Sequence, residues 1–182
     1  MKLKLFILVL ALQTAWILGT VIQQENFLHT GKTVLLETRP VDPRDPLRGD
    51  FVQLNYQISN VPREKFSPAF TNKLPAGTKI YVALAPAGTN GFWEVTRASE
   101  KSFAPENGEI LLRGKSQWNW QNLSSSVHVE YGIEKYFVAE GTGNPHGKLT
   151  VQAAVSKTGH ASIKEVFLDD KPYAEAMKAA GE

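Results

Sequence analysis

Residues 48–58 read RGDFVQLNYQI, a charged turn that leads directly into an alternating strand. Because successive strand residues point to opposite faces, every second position from Phe51 to Ile58 shares a face. The predicted core face holds Val52, Leu54, Tyr56 and Ile58. Phe51 then stands among the polar residues of the other face, so we expect it either to pack under a loop or to be turned inward by a bulge.

The rest of the chain repeats this pattern of short strands bounded by turn signals, which is typical of a mainly β protein. Eight or nine strands predict a compact antiparallel barrel or sandwich. KTGH at residues 157–160 is typical of a hairpin turn with Gly159 at positive φ. Pro172 at the start of KPYAEAMKAA predicts a short C-terminal helix. The remaining predicted strands are 32–38, 78–85, 91–98, 109–115, 127–133, 148–156 and 161–169.

The first segment predicts a transmembrane helix, because the 18 residues 5–22 carry no charge. A signal anchor over 1–24 and an extracytoplasmic β-rich domain over 25–182 are therefore expected, with the lipid bilayer contacted through 5–22. A cleaved signal peptide is the alternative, although no clear cleavage site follows the apolar run. Lys2 and Lys4 predict that the N-terminus stays inside, which places the remainder outside the cytoplasmic membrane.

The composition excludes several classes of site. The chain has no cysteine, so disulfides, thiolate zinc sites and cysteine nucleophiles are ruled out. Apart from Lys2 and Lys4 the basic and acidic residues balance. A balanced domain lacks the basic surface that nucleic-acid binding requires, so no nucleic-acid partner is expected.

The loop before the first quoted strand is the first candidate site. Its prolines stiffen the chain, and its arginines alternate with aspartates. The two interpretations left open are a loop locked by Arg–Asp pairs and a functional site. The arginines neutralise the carboxylates, so no metal is predicted. The residues that could face a ligand here are Arg39, Asp42, Arg44, Asp45, Arg48, Gly49, Asp50, Phe51 and Tyr56.

YGIEKYFVAEGTGNPHG, residues 131–147, is the second candidate. A hairpin loop is favoured over a nucleotide-binding turn, because the glycines lack the G-x-G-x-x-G spacing. Glu134 and Tyr136 are expected on one strand face, with Glu140 further along the loop. A buried Glu134 would need a cationic partner, and an arginine of the first loop could supply it.

Known catalytic patterns are weak in this chain. No G-x-S-x-G occurs, and no serine motif is convincingly paired with a lysine. The four histidines are far apart and lack ligand spacing. A carboxylate hydrolase or glycan binder using Asp50, Glu134 and Glu140, with Trp118 and Trp120 stacking on a sugar, is the alternative function. Catalytic residues remain unassigned, and no cofactor is expected.

The two candidate stretches carry a family resemblance. Gly49, Asp50, Phe51, Leu54 and Tyr56 resemble the motif of the GDYXXLXY family, with phenylalanine in place of its first tyrosine. The segments 31–50 and 134–143 are similar to the family as well. The resemblance implies a bacterial membrane-anchored domain of the inner membrane and a possible multi-spanning membrane protein partner. It implies no catalytic residues.

The expected protein is therefore a single-pass membrane domain of the bacterial envelope. Its expected role is to bind or assemble with a membrane or envelope partner, without catalysis of its own.

Overall fold

A computed structural model describes residues 2–39, 51–69, 74–117, 125–138 and 147–180, and the side chains of 3–38, 51–69, 74–117, 125–138 and 147–178. The described chain is mainly β, with one long helix before the strands and one short helix after them. The helices are α1 (Lys2–Thr30) and α2 (Tyr173–Ala180). The strands are β1 (Lys32–Arg39), β2 (Phe51–Gln53), β3 (Asn55–Tyr56), β4 (Asn60–Pro62), β5 (Lys79–Ala87), β6 (Phe92–Ser99), β7 (Ile110–Ser116), β8 (Ser126–Glu130), β9 (Lys135–Phe137), β10 (Leu149–Val155), β11 (Ala161–Leu168) and β12 (Lys171–Pro172).

Ten of these strands form one sheet, in the order β12-β11-β10-β1-β6-β5-β7-β8-β4, with β3 added beside β1. The two ends of this order, β12 and β4, do not pair within the described residues, so the sheet is not closed into a barrel. The barrel expected as one alternative is therefore wrong, whereas the mainly β class is confirmed. The pairing is antiparallel except between β1 and β6, where Leu35 is opposite Phe92 in a parallel contact.

The segment FVQLNYQI is not one continuous strand. It divides at Leu54, because β2 pairs with β9 and β3 pairs with β1. Gln57–Ser59 then form a turn of 3₁₀ helix. The predicted core face is nevertheless confirmed, since Val52, Leu54, Tyr56 and Ile58 are all buried. The alternation of apolar residues determines which side chains are buried. The pairing with two different strands, β9 and β1, divides the backbone into β2 and β3.

Two other local expectations are confirmed and one is corrected. Gly159 has φ +82° in the turn between β10 and β11. The C-terminal helix begins at Tyr173, directly after Pro172. The strand expected through Ile133 instead ends at Glu130, because the chain turns at Gly132, whose φ is +85°.

Helix α1 is long and apolar enough to cross a bilayer by length and composition. Within Leu3–Thr30, the most apolar stretch of 18 residues has a mean hydropathy of 2.3, and none of that stretch is buried against the rest of the protein. It continues past residue 24, where the sequence placed the end of the anchor.

The last turns of α1 contact the β10–β11 hairpin. The Phe27 and His160 rings lie 5.8 Å apart, and the Gln24 amide Nε2 donates to Ser162 Oγ at 3.1 Å. Gly31 alone separates the helix from β1. A Cβ at Gly31 would lie 2.8 Å from the Phe27 carbonyl oxygen, so the junction leaves no space for a side chain. The helix is thus joined to the sheet by a short and closely packed connection.

Candidate functional site

The two candidate stretches of the sequence lie side by side. Strands β2 and β9 pair antiparallel, with Phe51 opposite Phe137, Val52 opposite Tyr136 and Gln53 opposite Lys135. The Leu54 N–H continues this contact by donating to the Glu134 carbonyl at 2.7 Å. Segments 51–58 and 131–137 therefore form one structural unit.

Two buried tyrosines join these segments, because each donates a hydrogen bond to a carbonyl of the other segment. The Tyr56 hydroxyl donates to the Ile133 carbonyl at 2.6 Å, and the Tyr131 hydroxyl donates to the Ile58 carbonyl at 2.8 Å. Burial, with a smaller contribution from the nearby Glu134 charge, raises the pKa of both tyrosines above the ordinary 10.0. Both hydroxyls therefore stay protonated and act as donors. The Tyr56 side chain is fully buried and its hydroxyl is bonded within the fold, whereas the ligand-facing role given to it in the sequence analysis stays a prediction.

Replacing either tyrosine with phenylalanine should lower the free energy of unfolding by about 1–3 kcal/mol. The substitution keeps the ring but leaves a buried carbonyl without its donor. Urea unfolding of the full chain in non-ionic detergent measures the loss. Tyr81→Phe is the matched control, because Tyr81 lies in β5 and is only half-buried. Equal losses in Tyr56→Phe and Tyr81→Phe would contradict the role given to the Tyr56 hydroxyl.

Glu134 is held by the turn that precedes β9. Its carboxylate accepts the Tyr131 N–H at 2.5 Å and the Gly132 N–H at 2.9 Å. These donors fix the side chain within its own turn, so its described role is structural. The arginine partner expected for Glu134 would come from the first loop, whose side chains lie outside the described residues.

Tyr136 and Phe137 point in opposite directions, as alternation along β9 requires. The Tyr136 ring packs edge-on against Tyr173 of α2, with centroids 5.6 Å apart. Phe137 is 74% exposed and lies 6.3 Å from the half-buried Phe51 ring. Outside α1, Phe137 is the only large hydrophobic side chain of the described domain residues that is mostly exposed. Phe51 thus packs beneath Phe137 and does not turn into the core.

A groove of about 820 Å³ begins beside Phe137. We call it the cationic groove, because four lysine and arginine side chains and only two carboxylates line it. The basic residues are Lys79, Arg113, Lys115 and Lys135, and the carboxylates are Glu130 and Glu134. His160 lines the groove as well, and its ring is the one that contacts Phe27 of α1.

The sheet brings the basic residues of the cationic groove together. Lys79 of β5 is directly opposite Lys115 of β7, and Arg113 is two residues before Lys115. Glu130 of β8 is also opposite Lys115, but its Oε1 accepts a hydrogen bond from the Gln117 amide. Sequence analysis missed Lys79, Arg113 and Lys115. The only signal was a basic residue at alternate positions of β7, which is common on a solvated strand face.

Several predicted site residues cannot be placed. Arg39 ends β1, but its side chain is outside the described set. The described residues include neither six residues of the first loop nor Glu140, Trp118, Trp120 and His146. The six loop residues are Asp42, Arg44, Asp45, Arg48, Gly49 and Asp50. Of the three carboxylates of the hydrolase alternative, the structure therefore describes only Glu134, and backbone donors hold it.

Metal ligation and histidine chemistry find no support in the described ranges. No three His, Asp or Glu side chains there are grouped to hold a metal ion. His128 Nδ1 lies 3.1 Å from Asn60 Oδ1, which is a structural contact across β4 and β8.

A comparison with known protein families agrees with the GDYXXLXY motif at residues 49–56. No curated protein and no solved structure matches the chain. The family model described as GDYXXLXY protein matches residues 13–166, which include most of α1 and the strands through β11. Two residues of the motif, Leu54 and Tyr56, are fully buried. Since the match covers most of its length, the chain belongs to the GDYXXLXY family.

Proposed function

We propose that this protein is a single-pass membrane protein that holds a β-rich binding domain outside the cytoplasm. The observation that carries the proposal is the exposed apolar helix α1, joined to the sheet through Gly31 alone. Thirteen large hydrophobic side chains between Leu3 and Ile22 are exposed, from 45% for Val9 to 77% for Trp16. Burying such side chains in lipid is strongly favourable, so a bilayer is the natural environment of this helix.

The domain binds a membrane or envelope partner and performs no catalysis. Support comes from the face that holds Phe137 and the cationic groove, since an exposed aromatic beside unpaired charge is typical of a recognition surface. The described carboxylate of the competing hydrolase, Glu134, makes hydrogen bonds within its own turn. No described observation favours the hydrolase.

The orientation of the domain can be measured by cysteine labelling, because the chain has no cysteine of its own. Thr89→Cys places a thiol in the exposed turn between β5 and β6. We expect a membrane-impermeant maleimide to label it in intact spheroplasts, because the two lysines in the first turn of α1 hold the N-terminus inside. Leu12→Cys, in the middle of the apolar run, is the matched control and should react only after denaturation in detergent. Labelling of the Thr89→Cys protein only after lysis would overturn the proposed orientation.

A further inference from the structure

The cationic groove carries charge that the described protein does not neutralise. Lys79, Arg113 and Lys115 form no ion pair with any residue of the described ranges. Lys135 places its Nζ 5.3 Å from the Phe51 ring centroid, a cation–π contact that leaves its charge intact. Both carboxylates of the groove already accept hydrogen bonds from neighbouring amides. The described lining therefore has an excess of positive charge.

The arrangement of these charges is unfavourable for folding alone. Like charges directly opposite each other on neighbouring strands destabilise a sheet. Lys79 and Lys115 occupy such a pair, and Arg113 adds a third positive charge on the same face of β7. Glu130, opposite Lys115 on β8, offsets only one of these three charges. An anion in the groove would remove this repulsion.

One end of the groove lies close to the part of α1 that follows its apolar run. His160 lines the groove and contacts Phe27, which is five residues beyond the apolar run that ends at Ile22. At 1.5 Å per residue, that separation is about 7.5 Å along α1. The polar layer of a bilayer is about 5–7 Å thick on each side of the hydrocarbon core. With α1 spanning a bilayer, Phe27 and the His160 ring 5.8 Å from it would therefore lie at the outer edge of the headgroup layer.

We infer that the cationic groove binds the phosphate of an anionic lipid headgroup from the bilayer that α1 spans. Charge complementarity selects an anion, and the position of His160 selects the bilayer as its source. Arg113 and Lys115 are the principal phosphate ligands, because they lie next to each other on one strand face. The inference rests on the proposed function for its membrane location, and it names the ligand of that site.

The full chain in non-ionic detergent can be titrated with deacylated headgroups, which do not partition into micelles. The probes are glycerophosphoglycerol, which is anionic, glycerophosphocholine, which is zwitterionic, and inorganic phosphate. We expect saturable calorimetric binding of glycerophosphoglycerol, at least tenfold weaker binding of the other two, and weaker binding at high salt.

The variant Arg113→Gln with Lys115→Gln should weaken glycerophosphoglycerol binding at least tenfold. Lys101→Gln with Lys171→Gln removes the same charge from exposed positions outside the groove and should change binding less than twofold. Because Arg113→Gln and Lys115→Gln relieve repulsion, we expect that variant to fold, and circular dichroism is the measurement that checks this.

Three results would overturn the inference. Equal binding of glycerophosphocholine would remove the role of net charge, and stronger binding of inorganic phosphate would replace the lipid with a free anion. If the variant Arg113→Gln with Lys115→Gln bound glycerophosphoglycerol as tightly as the unchanged protein, the binding site would lie outside the cationic groove. None of these results alters the cysteine labelling, so a failure of the groove is distinguishable from a failure of the proposed orientation.

Discussion

Replacing Leu54 with alanine should lower the free energy of unfolding by about 2–5 kcal/mol, the range for removing a large aliphatic side chain from a close-packed core. Leu54 is fully buried at the point where the chain leaves β2 for β3. Its backbone N–H also donates to Glu134, so the side chain packs where segments 51–58 and 131–137 join. Urea unfolding of the full chain in non-ionic detergent, followed by tryptophan fluorescence, measures the change.

Phe137→Ala is the matched control for Leu54→Ala. It removes a larger side chain from the same unit, but from a position that is 74% exposed. Its expected effect is within about 0.5 kcal/mol, as for most surface substitutions. If both variants lost the same stability, the assignment of Leu54 to the core and Phe137 to the surface would be wrong.

Replacing Gly114 with alanine should cost about 1–3 kcal/mol, because the site has no space for a methyl group. A Cβ there would meet Val129 Cγ1 and would lie 2.6 Å from the Glu130 carbonyl oxygen. Elsewhere the same substitution stabilises proteins by about 0.4–1 kcal/mol through the unfolded chain, so the sign itself is informative. The same urea unfolding experiment provides the measurement.

Val129→Ala separates the obstacles at Gly114 in a double-mutant cycle. Removing the valine methyl groups clears the closest contact but leaves the carbonyl of Glu130 and the Tyr131 ring, 3.1 Å from the added Cβ, in place. We therefore expect the cost of Gly114→Ala to fall in the Val129→Ala background without disappearing. A stabilising effect of Gly114→Ala in either background would show that β7 and β8 can separate freely at this point.

Much of the fold was predictable from short stretches of sequence, because interactions between residues close in the chain determine which strand face is buried and where a helix starts. The alternation of apolar residues identified the core face of 52–58, since burial follows the pleat of the strand wherever it pairs. A proline before YAEAMKAA predicted the start of α2, since the fixed φ of proline suits the first turn of a helix. Neither inference depended on residues distant in the chain.

Features that depend on distant pairing were not predictable in the same way. The division of FVQLNYQI at Leu54 arises because β9 and β1 take different halves of the segment. Lys79 and Lys115 meet only through the register of β5 with β7, which no short pattern specifies. Of the charged residues that line the cationic groove, sequence reasoning singled out only Glu134 and missed Lys79, Arg113 and Lys115.

The single residue between α1 and β1 limits how far the domain can move away from the helix. A flexible tether of about 30 residues would let a domain sample roughly 30 Å from its anchor. Gly31 gives no such freedom, and the contact of Phe27 with His160 fixes the hairpin beside the helix. With α1 in a bilayer, as proposed, the domain would diffuse in two dimensions within a thin layer above the lipid. Its effective concentration would then be high for ligands in that layer and negligible for those far from it.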